Sequence, residues 1–118
     1  MLMIKRAPAF VAKELCEGII DYKEDYIVFS AFDFTGTKGF SVAKIEGENI
    51  EVIYVEGEDL SVIDGAVRTI IAYGEDSGCK TYCINVNKNT VDKLLKLEFE
   101  VNKTKSIKEL FSTCKSCK

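Results

Sequence analysis

The chain has 118 residues, 47% of them apolar, and a net charge of -3, which is enough for one hydrophobic core and too little for two independent ones. The acidic balance argues against a nucleic-acid surface, which needs clustered Lys and Arg. No apolar run approaches the roughly 20 residues that span a bilayer, and no basic region followed by an apolar core and a cleavage site opens the sequence, so a cytoplasmic protein with no membrane segment is expected.

In chain order, a short opening strand leads through Lys5 to Pro8 into a segment where Phe10, Val11, Leu15, Ile19 and Ile20 recur at helical spacing. Pro8 suits a first helical turn, and the pattern predicts a helix over about 8–21. Residues 25–34 are rich in Tyr, Ile, Val and Phe and end in Thr35-Gly36-Thr37-Lys38-Gly39, which predicts a strand and a hairpin turn. Residues 40–45 form the return strand, 46–49 turn again, and 50–55 alternate Ile50, Val52 and Tyr54 against Glu51, Ile53 and Val55. The result is a three-stranded antiparallel meander.

Asp59 or Ser61 can cap the next helix, with Ser61 and Asp64 at capping-box spacing and Val62, Ala66, Val67, Ile70, Ile71 and Tyr73 on one face. Gly78 ends it. Residues 81–86 read as a short strand parallel to the third strand of the meander. Asn89 or Thr90 then caps a helix carrying Val91, Leu94, Leu95 and Leu97, and residues 99–104 read as a closing strand. The expected fold class is α/β with a mixed sheet, in one domain over residues 1–118. Residues 105–118 are expected as a basic, cysteine-containing tail.

Asn87, Leu97 and Phe99, together with this element order, resemble the GNAT superfamily of acyl-CoA-dependent N-acetyltransferases, and the resemblance spans nearly the whole chain. That family often carries Asn, a small residue and Tyr in this region and closes it with Leu-Gly-Phe; here Glu98 stands where it has Gly, and Leu94 where it often has Tyr. The resemblance implies acetyl-CoA as the acyl donor and a small-molecule or peptide amine as acceptor. It assigns the cofactor to the backbone around Ile53, Val55, Gly57 and Gly65 and to Asn87. The family holds the cofactor diphosphate with Gln or Arg, two residues, Gly, one residue, then Gly or Ala. Counting forward from Val55 puts Leu60, Ile63 and Gly65 there; counting back from Gly78 puts Glu58, Ser61 and Ile63. Neither register recovers the motif, and Glu58, Asp59 and Asp64 crowd a helix start that should receive an anion. Acetyl-CoA is thus disfavoured by the loop. A binding or assembly module, dimeric through its sheet edge or first helix, is weighed against an N-acetyltransferase.

Acyl transfer to an amine needs positioning, an oxyanion donor, a base and an acid. The sequence has no His, so the candidate bases are Glu51 and Glu56 and the candidate acids Tyr54, Tyr73 and Tyr82. Five cysteines, an odd number, are expected as reduced thiols. Cys79 and Cys83 are expected as small buried hydrophobes, and Cys16 as core or helix flank. Cys114 and Cys117 make only half of a four-thiolate zinc site, so no metal is expected.

Overall fold

The computed structural model describes residues 2–86 and 88–112. The elements are β1 (Met3–Arg6), α1 (Ala9–Cys16), β2 (Ile27–Asp33), β3 (Gly36–Glu46), β4 (Asn49–Gly57), α2 (Leu60–Asp76), β5 (Thr81–Ile84), α3 (Lys88–Lys96), β6 (Lys105–Ser106) and α4 (Ile107–Ser112). The strands form one six-stranded sheet in chain order, β1 to β6. All neighbours run antiparallel except β4 and β5, which are parallel, as the intervening helix requires. No helix among the described residues is long and apolar enough to cross a membrane.

Each face of the sheet is covered by the helix whose apolar stripe matches it. On α2, Val62, Ile63, Ala66, Val67, Ile70 and Ile71 are buried and pack with Ile50, Val52 and Val55 of β4, Tyr82 and Ile84 of β5, and Leu94 and Phe99 beyond. Burying each such aliphatic side chain contributes about 1.5–3 kcal/mol, which makes this the main core. The opposite face carries a smaller cluster of Ala12 and Cys16 from α1 with Val28, Phe40 and Val42.

Four regions differ from the sequence expectation. The first helix ends at Cys16 and not near residue 21, because Gly18 turns left-handed at φ +76° and the Ile19 and Ile20 amides fold back onto the Cys16 carbonyl. The β2–β3 turn is tighter than five residues, since the Asp33 carboxylate accepts from both the amide and the hydroxyl of Thr35, at 2.8 and 2.6 Å, and the return strand starts at Gly36. Residues 99–104 are not a strand. Glu98 and Asn102 are left-handed (φ 69° and 59°), and the closing strand is the two-residue β6 that follows them. Residues 105–112, expected within the tail, instead form β6 and α4, with Ile107 buried in the main core.

Candidate functional site

The C-terminal half of β4 departs from regular pairing on both of its edges. Against β3, Val42 faces Tyr54 but Ala43 faces Val52, so Ile53 is an extra residue in β4. A bulge of this kind re-aims side chains: Val52 and Val55 point into the α2-side core, while Ile53 and Tyr54 both pack on the α1 side. Strict alternation had placed Val52 with Tyr54 and Ile53 with Val55, and the bulge is what overturns that assignment. On the other edge, β4 pairs with β5 only from Asn49 to Val52. The Asn85 amide makes a last bond to the Val52 carbonyl at 2.9 Å, and the strands then part. In the gap, the Thr90 hydroxyl of α3 donates to the Val55 carbonyl at 3.3 Å.

Just beyond β4, the start of α2 is occupied by the chain itself. The Asp59 carboxylate accepts from the Ser61 hydroxyl at 2.7 Å and from the Val62 amide at 3.1 Å, and these donors, the hydroxyl first, hold its pKa below the usual carboxylate value. Asp59 is therefore the cap that the sequence left open between two residues, while Asp64 pairs with Arg68 at 2.9 Å. The Glu58 amide donates to the Lys38 carbonyl at 2.9 Å, and Lys38 reaches the Glu58 carboxylate at 3.4 Å. Gly57 is needed for close packing: a Cβ there would lie 2.9 Å from side-chain carbons of both Val62 and Ile63. Gly65 sits inside α2, where a Cβ would meet the Ile4 side chain of β1.

The candidate acids and bases fall into separate clusters. The Tyr54 hydroxyl donates to Glu56 at 2.7 Å, and its ring lies 5.4 Å from that of Phe40. Burial and then the Glu56 carboxylate push its pKa up to about 12. Glu51 pairs instead with Lys44 at 3.6 Å and accepts from the Asn85 side-chain amide at 3.2 Å. Tyr73 sits over β1 and β2, where it accepts from Arg6 at 2.8 Å and its ring meets that of Phe29. Tyr82 is buried on the α2 side of β5, where desolvation raises its pKa. Cys16 and Cys79 are buried and Cys83 half-buried; burial raises the Cys16 and Cys79 thiols above their ordinary value. Among the described residues no group of three His, Cys, Asp or Glu could hold a metal ion. Asn87, Cys114 and Cys117 lie outside the described residues.

Sequence reasoning missed two residues here. Thr90 is one of the two capping candidates for α3 in the sequence, whereas the helix begins at Lys88 and Thr90 lies within it, its hydroxyl turned to β4. Lys38 carried no signal, because its tie to Glu58 depends on the hairpin folding back beside the α2 start.

No family model and no curated protein matches the sequence. Solved structures do. An IAA acetyltransferase from Bacillus cereus superposes with a TM-score of 0.67 at 12% identity, over 83% of this chain and 74% of that one. The ribosomal-protein-S18-alanine N-acetyltransferase of Escherichia coli gives 0.59 at 13% identity, over 85% and 78%. PaiA N-acetyltransferase from Thermoplasma acidophilum, solved in complex with coenzyme A, gives 0.60 at 13% identity, over 83% and 87%. On these superpositions the chain has the GNAT N-acetyltransferase fold.

Proposed function

We propose that this domain is a GNAT-fold binding or assembly module that does not hold acyl-CoA through the start of α2. The observation that carries this is the Asp59 cap. A diphosphate bound at a helix N-terminus needs free N–H groups and a favourable dipole field. Here the Asp59 carboxylate already takes the Val62 N–H, and Glu58, paired with Lys38, stands beside it. Leu60 places a partly exposed apolar side chain at the first helical position. These residues do not fit a diphosphate in that mode.

The acid-base candidates support the same reading. A general acid works best with a pKa near the operating pH, and Tyr54, at about 12 with its proton directed to Glu56, holds that proton too firmly. Glu51 is engaged by Lys44 and Asn85.

One feature favours the alternative, an N-acetyltransferase acting on a small or peptide amine. The bulge at Ile53 and the parting of β4 from β5 leave backbone on β4 with no partner strand on that edge, and such an edge can pair with an extended amide-containing ligand. A thermal-shift assay with acetyl-CoA separates the two readings, because a ligand that binds only the native state raises Tm by mass action. The module reading predicts no shift at millimolar acetyl-CoA; a dose-dependent rise supports the enzyme.

A further inference from the structure

On the far side of α2 from β1, a cavity of about 460 Å³ opens between α2, β5, α4 and the segment after α3. Tyr82 lies in its wall and is only 4% exposed. No fully buried side-chain nitrogen or oxygen among the described residues lacks a partner. The Tyr82 hydroxyl has no partner among those residues, so it is the part of this side chain that the cavity reaches. Water wets this hydroxyl through the cavity while the ring stays buried, so a ligand entering there would take over the hydrogen bond that water makes.

Two further polar groups in the same wall, both open to water, keep donors or acceptors free for a ligand. Arg68 is fixed by its Nε, which donates to Asp64 at 2.9 Å, and by stacking over Phe99, with the guanidinium carbon 5.0 Å from the ring centroid. Among the described residues its two Nη groups have no partner, and they form the fork that binds carboxylates. Glu98 lines the cavity in a left-handed conformation (φ 69°), where a non-glycine residue is strained, and its carboxylate has no partner among the described residues. Lys105 is already held by Glu100 at 2.8 Å and so closes the wall. Leu97, Phe99 and Leu110 supply apolar surface.

We infer that this cavity binds a small zwitterion of the free α-amino acid type. Its carboxylate meets the Tyr82 hydroxyl and the Arg68 fork, its ammonium meets Glu98, and an apolar side chain lies against Leu97 and Phe99. The lining selects against the simpler classes. Glu98, Glu100 and Glu109 share the wall and repel a phosphate dianion; Arg68 repels a plain amine, and Glu98 a plain carboxylate. The inference stands whether or not α2 receives acyl-CoA, since none of these residues lies at that helix start.

The test is a titration of the isotope-labelled protein followed by amide NMR shifts, first with a panel of the common L-amino acids. L-Leucine is then compared with 4-methylpentanoate, which lacks the ammonium, and 3-methylbutylamine, which lacks the carboxylate. Saturable shifts centred on Tyr82, Phe99 and Lys105 are expected with apolar amino acids, and each one-charge analogue is expected to bind at least about tenfold more weakly. Tyr82→Phe and Glu98→Gln should each weaken binding about tenfold. Their folds should be intact by circular dichroism, since neither side-chain group makes a hydrogen bond among the described residues. No saturable shift with any member of the panel overturns the proposal. So does equal affinity for either analogue, or for Tyr82→Phe.

Discussion

Two regions of this domain are built on opposite principles. At the junction of β4 with α2, where a GNAT fold leads one to look for a ligand, the polar groups are met from within: Asp59 by Ser61 and Val62, Glu58 by Lys38, Tyr54 by Glu56 and the Val55 carbonyl by Thr90. At the cavity beside α4, the Tyr82 hydroxyl, the Arg68 fork and the Glu98 carboxylate face space. None of these three groups is cut off from water, since no fully buried side-chain nitrogen or oxygen among the described residues lacks a partner, so each can exchange its water for a ligand group without first breaking a bond within the protein. Where such groups converge on one cavity, their location is a better guide to a site than the reputation of a fold.

The sharpest way to break this contrast is to add volume at the junction. A Cβ at Gly39 would collide with the Glu56 carbonyl and lie 2.8 Å from both Gly57 Cα and a Val62 side-chain carbon. Backbone cannot retreat as a side-chain tip can, so Gly39→Ala should destabilise the protein by about 3 kcal/mol in urea unfolding. A loss within error would mean that the junction is looser than its packing indicates. Thr90→Val keeps the shape but strips the donor from a buried carbonyl, which should cost about 1–2 kcal/mol. Wild-type stability in that variant would show that the gap between β4 and β5 is wet.

In the open region the sign reverses. Glu98 closes α3 in a conformation suited to glycine, with the Phe99 amide bonded to the Leu94 carbonyl at 3.0 Å. Glu98→Gly should therefore stabilise the fold by up to about 1 kcal/mol while removing the group assigned to the ligand ammonium. Destabilisation would show that the glutamate is structural.

The smallest effect concerns Tyr54. Its folded pKa of about 12 exceeds the ordinary value of 10.0, so the neutral form is favoured by folding. The associated stability is full below pH 10 and is lost as the pH rises from about 10 towards 12. The stability difference between wild type and Tyr54→Phe should shrink across that window in chemical unfolding. A difference that stays constant with pH would contradict the environment described for this phenol.

The meander and α2 were legible because alternation and a helical stripe are local patterns: Ile50 and Val52, or Val62, Ala66 and Ile70, announce the face they bury. The bulge at Ile53 was not, since one extra residue leaves composition unchanged and shows only in pairing with β3. Phe99 and Val101 mimic a strand by alternating, but two left-handed residues at 98 and 102 break it, and only the first had a counterpart in the sequence reading, in the Gly that the GNAT resemblance implies at that place. The acidic start of α2 could be read directly. The cavity could not, because Arg68, Tyr82 and Glu98 come from three separate segments, and in the sequence the phenol is indistinguishable from an ordinary core aromatic; that its hydroxyl has no partner among the described residues is a property of the fold.

Isothermal titration calorimetry with acetyl-CoA at low ionic strength tests the central claim most directly, because low salt gives a diphosphate its best chance at a helix start. With Asp59 and Glu58 in place, no saturable heat is predicted below a dissociation constant of about 1 mM. A constant in the low micromolar range, with amide shifts confined to residues 55–65, would contradict it and show that the Asp59 carboxylate yields its N–H groups to the ligand.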